Sequence, residues 1–381
     1  MKMRVVSIAS IVFFLGSAYA GLAQVEGGGG GSVKTSSTTV DSYKRRWRPP
    51  AKHTTAKRIA ARKTAAEYIA EGDRLYDQKD YDSALIAYQN AAKLKADYYP
   101  FYRIGWIYNE FDEYTNALPA LDRAIALDSS QSAPYTEKGY AHRRLKQYDQ
   151  AIAAFKRSIA LNSESYIAPY ELGSLYNEMR SFSEAERYLR QSIANKSDYA
   201  NAYEELGVVQ RRQGRNDDAI DSFNKAIGLD SEDSGSYMGL GDVYFYGKKD
   251  YQEAVNSYLK GLELEPDNNV AAYNVGYAYN DLGEYAEALP WLEKALKLKP
   301  NNNDARAEIG FASMKLERYT VASTVLREAI NSDRDFDTAH YYLGQVFVRT
   351  GNRTGATTEY RELQRLKSDY ANKLMNMIQK M

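Results

Sequence analysis

Residues 271–300 read AAYNVGYAYNDLGEYAEALPWLEKALKLKP, and this stretch decides the fold. Counted from Gly276, a small residue (Ala288) follows twelve positions on, a large apolar one (Leu292) sixteen on, and a second small one (Ala295) nineteen on. Spacings of three, four and seven put residues on one face of a helix. The same arrangement in residues 101–124 sets Phe101, Ile104, Gly105 and Tyr108 on one helical stripe, and Ala117, Leu121 and Ala124 on a second. Residues 110–113 supply the turn between them. The spacing therefore predicts two helices of about fourteen residues, with small side chains where they cross and a large one beside the crossing.

Working outward, the glycine recurs as Gly72, Gly105, Gly139, Gly173, Gly207, Gly241, Gly276, Gly310 and Gly344, at gaps of 33 to 35 residues. The twelve-on alanine, the sixteen-on large residue and the nineteen-on small residue travel with it, displaced by one in the sixth unit, which carries an extra residue near Gly247-Lys248-Lys249. Leu363, at the last small slot, is the exception. A period this regular means one supersecondary unit stacked nine times, an architecture that binds rather than transforms. Pro100, Pro266 and Pro300 are expected where one unit passes to the next. After the ninth unit Tyr370, Leu374, Met377, Ile378 and Met381 share one apolar helical face, which predicts a capping helix over the last core surface.

These residues resemble the tetratricopeptide repeat, and residues 271–300 are close to that family's consensus. The resemblance covers about residues 65–366 and implies an all-α fold, a right-handed α-α superhelix (a solenoid of nine repeats) with residues 367–381 as its cap. It further implies a protein-binding scaffold, not an enzyme, whose concave groove takes extended peptides. In that family the groove is lined by residues three before, one after and four after the glycine. Here those slots offer Tyr102, Trp106 and Asn109, then Tyr140 and Arg143, Tyr170 and Asn177, Arg211, and finally Tyr273, Tyr277 and Asn280. Aromatic rings give contact area at low entropic cost, and Arg and Asn satisfy backbone or carboxylate groups. Two groove chemistries known in the family are not matched. A carboxylate clamp needs Lys three before the glycine, where the chain has Tyr102, Thr136, Tyr170 and Glu204 among others; an asparagine ladder needs Asn two before it, where only Asn274 qualifies.

The bulk numbers limit the remaining function classes. The chain has no cysteine, so disulfides, thiolate metal sites and cysteine nucleophiles are excluded. His53, His142 and His340 are too scattered for a metal site or a proton relay, and no cofactor or metal is expected. Gly239-Leu240-Gly241 lacks the third glycine of a dinucleotide fingerprint and reads as repeat scaffolding. Most of the 34 tyrosines fall in slots that pack the two helices.

The net charge of zero conceals an asymmetry: residues 1–63 hold twelve Lys or Arg against Glu26 and Asp41, leaving 38 basic and 48 acidic residues in the rest. Lys2 and Arg4, an apolar run over residues 5–15, and small residues ending in Ala20 or Ala23 follow the order of a secretory signal peptide over residues 1–23. A periplasmic or secreted protein is expected, the alternative being an inner-membrane anchor through uncleaved residues 5–25, the one case in which a membrane is a partner. Residues 24–43 read as a disordered Gly/Ser-rich linker and residues 44–64 as a basic tail. Lys44, Arg45, Arg46, Arg48 and Lys52 in that tail offer an alternative function, binding of an anionic envelope polymer, with the repeats as spacer or self-association platform. Nucleic acid is not expected as a partner.

Overall fold

The computed structural model describes residues 63–381; the stretches expected to be a signal peptide (1–23) and a linker (24–43), and Lys44, Arg45, Arg46, Arg48 and Lys52 of the expected basic tail, lie outside the described residues. Nineteen α-helices and no strand are found among the described residues. The first helices of the nine units are Ala65–Asp77, Tyr98–Glu110, Ser132–Arg144, Ile167–Glu178, Ala200–Arg212, Ser234–Asp242, Asn269–Leu282, Asn303–Lys315 and Asp337–Arg349. The second helices are Tyr81–Leu94, Tyr114–Leu127, Tyr148–Leu161, Phe182–Asn195, Asn216–Leu229, Tyr251–Leu264, Tyr285–Leu298, Tyr319–Ser332 and Arg353–Arg365, and Tyr370–Ile378 closes the chain. Each helix packs on its sequence neighbours, and first helices of adjacent units also touch one another. This is the layered order of an α-α solenoid.

The glycine slot works by steric exclusion. A Cβ on the glycine of units 1 to 8 would lie 2.5–2.9 Å from the sixteen-on side chain of the same unit (seventeen-on in the sixth), from Tyr88 through Leu121 and Phe155 to Leu326. The twelve-on alanines Ala84, Ala117, Ala151, Ala185, Ala219, Ala254, Ala288, Ala322 and Ala356 are all fully buried. In the ninth unit a different residue meets the glycine: Leu374 of the last helix covers Gly344, and Tyr360 lies to the side in the same cluster with Leu363, Ala371 and Ile378. The terminal helix thus supplies to unit 9 the packing that each earlier unit draws from its own second helix.

The turn between the two helices has a feature that residue type conceals. The residue seven after the glycine takes a left-handed backbone: Lys79, Asp112, Lys146, Arg180, Gly214, Gly283, Glu317 and Gly351, with Lys249 eight after in the sixth unit. In unit 3 the amide of Lys146 donates to the Arg143 carbonyl (2.9 Å) and that of Gln147 to the His142 carbonyl (2.8 Å), so the last carbonyls of the first helix find donors. The extra residue of unit 6 is absorbed by a π-helical turn, Val243–Lys248, at the end of the first helix.

The three prolines expected between units divide between two roles. Pro266 and Pro300 sit in turns between units as expected, but Pro100 belongs to the first turn of its helix, Tyr98–Glu110, behind the N-cap Asp97. Amides in a first turn have no intrahelical acceptor, so a proline there sacrifices no hydrogen bond.

Candidate functional site

The row of first helices carries a ladder of contacts joining the residue four after one glycine to the residue two before the next. Asn109 donates from Nδ2 to the Glu137 carbonyl (3.1 Å) and to Glu137 Oε2 (2.9 Å). Arg143 pairs through Nη1 with Glu171 Oε2 at 3.0 Å and reaches Ser174 Oγ and Glu178 Oε2 with its other nitrogens. Asn177 donates to Glu205 Oε1 at 2.7 Å, while its own Oδ1 accepts from Arg212. Asn280 repeats the geometry of Asn109, with Nδ2 at 3.2 Å from the Glu308 carbonyl and 2.8 Å from Glu308 Oε2. The first rung uses other chemistry, the Arg103 guanidinium lying 3.6 Å from the centre of the Tyr76 ring.

Two junctions lack a polar rung: between units 8 and 9 the slots hold Met314 and Tyr342, which share a hydrophobic cluster, and between units 5 and 6 the rung is broken. Arg211 should meet a carboxylate at position 239, but that residue is glycine because a side chain there would run into the Phe223 ring. Arg211 turns instead to Asp242 Oδ2 at 3.5 Å, and its Nε is buried without an acceptor. Within the π turn the ladder resumes one residue out of phase, Tyr246 Oη donating to Asn274 Oδ1 at 3.3 Å.

The electrostatics of this face follow from burial. Removal from water opposes ionisation of a carboxyl, and it is the leading cause at Glu137, whose pKa is pushed up to about 8, and at Glu308, pushed up to about 7. Burial also raises Glu110, Glu171, Glu204, Asp242 and Asp304. At Glu171 the Arg143 charge pulls the other way.

The eleven residues expected to line the groove do share this row of helices, but in unequal states of exposure. Asn109, Tyr140, Tyr170, Asn177 and Asn280 are buried, and the Arg143 side chain is 11% exposed. The three asparagines and Arg143 commit their donors to neighbouring units. Tyr140 packs edge-on against Tyr114, and Tyr170 against Tyr199. Tyr102, Trp106, Arg211, Tyr273 and Tyr277 keep part of their surface open. Trp106 packs on Tyr76 and Tyr81, and Tyr277 on Phe245 and Tyr273. In the slot two before the glycine the sequence reading looked only for asparagine and did not pick out the glutamates. Glu137, Glu171, Glu205 and Glu308 occupy it, and their recurrence there is the signal that could have found them.

His340 is buried between Glu359 Oε2 (2.6 Å from Nδ1) and the Arg334 carbonyl (3.1 Å from Nε2), a packing role within unit 9. His142 lies at the first helix's end, with Nδ1 2.6 Å from Gln147 Oε1. Among the described residues no group of three metal-ligating side chains converges, and no helix is long and apolar enough to cross a membrane.

Paired antiparallel helices stacked in one direction, with glycine crossings and a terminal cap, define an α-solenoid repeat scaffold. Sequence profiles described as tetratricopeptide repeat match residues 69–134, 170–234 and 238–303, with further profiles of that description at residues 279–346 and 133–165. The chain belongs to the tetratricopeptide repeat family. Among solved structures it is similar to the C-terminal part of a tetratricopeptide repeat-containing protein from Cytophaga hutchinsonii, at 18% identity and a TM-score of 0.51, over 63% of this chain and 98% of that one. It is also similar to MamA, at 26% identity and a TM-score of 0.39 over 42% of this chain and 95% of that one. YrrB, described as a TPR protein with an unusual peptide-binding site, matches at 21% identity and a TM-score of 0.43 over 49% of this chain and 95% of that one. No curated protein matches the chain.

Proposed function

We propose that this chain is an extracytoplasmic scaffold whose row of first helices holds an extended segment of a partner protein, in envelope assembly or secretion. The observation that carries this reading is two patches of open aromatic side chains, Tyr102 and Trp106 in unit 2 and Tyr246 (51% exposed), Tyr273 and Tyr277 in units 6 and 7, on helices that the rungs tie to their neighbours. Aromatic surface held rigidly before binding forfeits little entropy when a peptide arrives. Family membership supports a protein-binding role, and the signal-like residues 1–23 support a location outside the cytoplasm.

A photo-crosslinking amino acid placed at Trp106, at Tyr277, or at Ile86 on a second helix (59% exposed) tests the face. Cross-links to a partner are expected from the first two positions and not the third; equal labelling at all three would overturn the assignment. Arg143→Ala is unsuited to this purpose, because it breaks a buried ion pair and confounds binding with folding. The location is tested by N-terminal sequencing of the protein from an envelope fraction, with Gly21 or Gln24 expected as the first residue. A chain that starts at its initiator methionine in the cytoplasmic fraction would reject it.

A further inference from the structure

Asn109 and Asn280 both leave Oδ1 buried with no donor, but the Arg103 charge acts on Glu137 beside the first, whereas none of the leading influences on Glu308 is a basic side chain. Asn280, 4% exposed, spends Nδ2 on Glu308, and its Oδ1 is buried with no donor. Glu308 faces Asp304 on its own helix, Asp281 on the preceding first helix and Tyr342 on the following one, and the Tyr273 and Tyr277 phenols lie within its field. The basic side chains of this region sit elsewhere: Lys299 acts on Asp304, Arg306 donates to Asn303 Oδ1 and the Pro300 carbonyl, and Lys315 lies over the Phe311 and Tyr285 rings. The equivalent Glu171 has Arg143. Around Glu308, then, several acceptors and aromatic rings converge and no cation answers them. Phe311 and Tyr342, with ring centres 5.1 Å apart, add to the aromatic wall.

We propose that Glu308, with Asp281, Asn280 and the rings of Tyr273, Tyr277 and Tyr342 around it, seats the lysine or arginine side chain of an extended peptide. The proposal rests on the groove reading above and adds the chemistry of its ligand. A guanidinium or ammonium supplies the missing donors, stacks on aromatic faces and neutralises the carboxylates, and Arg fits best because its planar fork satisfies two acceptors at once. Since burial, seconded by Asp281 and Asp304, holds the Glu308 pKa near 7, a bound cation favours its ionised form and expels a proton. Binding near neutral pH is therefore coupled to proton release.

The probe is a synthetic twelve-residue peptide alternating alanine and arginine, titrated calorimetrically into the full chain in two buffers of different ionisation enthalpy. Alternating alanine–glutamine and alanine–glutamate peptides serve as controls. The arginine peptide is expected to bind with net proton release, and Glu308→Gln to weaken it about tenfold or more while abolishing the release. Glu232→Gln, an exposed acid remote from the ladder, is expected to leave binding unchanged. Asp281→Asn, at an exposed position, is a second variant with little risk to folding, expected to weaken binding about threefold. Equal effects of Glu308→Gln and Glu232→Gln, no effect of Glu308→Gln and Asp281→Asn, or proton release that persists in Glu308→Gln would overturn the subsite. Partner cross-links at Tyr277 that survive such a result would retain the groove and reject only its preference for cations; loss of those cross-links rejects the groove itself.

Discussion

Arg143 and Glu171 form an ion pair, Nη1 to Oε2 at 3.0 Å, with 11% and 4% of their side chains exposed, and it joins the first helix of unit 3 to that of unit 4. Removing Arg143 leaves a buried carboxyl, whose pKa burial already raises, without its main compensating charge. Arg143→Met is expected to destabilise units 3 and 4 by about 3–5 kcal/mol, whereas the double variant with Glu171→Met loses much less than the sum of the two single losses. A double-mutant cycle from urea denaturation measures the difference. Additive losses would mean that the pair is not coupled.

The left-handed turn residues give a second expectation with both signs. At Lys146 (φ 59°) a side chain stands where glycine is favoured, so Lys146→Gly should stabilise by about 1 kcal/mol. At Gly283 (φ 83°) nothing lies within 4 Å of an added Cβ, so Gly283→Ala incurs only the backbone term, a loss of about 1 kcal/mol. Thermal melts of the two variants should move in opposite directions. Shifts of the same sign would place the effect in side-chain contacts.

These turns also mark where the sequence was legible and where it was not. Gly72 and its counterparts were readable because one residue type recurs at one interval, as steric exclusion by Tyr88, Leu121 or Phe155 requires. The turn slot escaped because only Gly214, Gly283 and Gly351 fill it with glycine; elsewhere Lys, Asp, Arg or Glu tolerates the strain. The rungs escaped because one geometric slot is filled by Asn with Glu, Arg with Glu, or Tyr with Arg, and because each pairing spans two units. For the face itself, periodicity placed Asn109, Asn177 and Asn280 on the right helices. It could not tell that their amides turn toward Glu137, Glu205 and Glu308.

The raised carboxyls predict how stability depends on pH. The folded state holds protons on Glu137 up to about pH 8 and on Glu308 up to about pH 7, while the unfolded chain releases them near the ordinary value of 4.5. Because the folded state binds more protons between these limits, their contribution is fully present below about pH 4.5 and is lost as pH rises through the folded values. His340 adds the same sign: burial opposes its charge, but the hydrogen bonds to Glu359 and the Arg334 carbonyl prevail and raise its pKa above the ordinary 6.5. Urea midpoints are thus expected to fall between pH 5 and pH 8, and Glu137→Gln with Glu308→Gln to flatten that slope. A slope unchanged in the double variant would remove these two groups as its source.

Leu374, fully buried, fills the space over Gly344 that in every other unit belongs to the second helix of the same unit. Leu374→Ala opens a cavity there and is expected to cost about 2–5 kcal/mol. In a linear array each unit is stabilised by its neighbours alone, so the loss should stay at the carboxyl-terminal end. Amides of Asp337–Arg349 and Arg353–Arg365 should then exchange with solvent faster, while those of Ser132–Arg144 keep their protection. The stacked pair Tyr341 and Tyr370, with ring centres 4.5 Å apart, ties the same cap to the first helix of unit 9, so Tyr370→Ala should give a milder version of that gradient. Hydrogen exchange read by mass spectrometry resolves the two cases. Uniform deprotection from unit 1 to unit 9 would show that the array unfolds as one body and that the cap is not a local term.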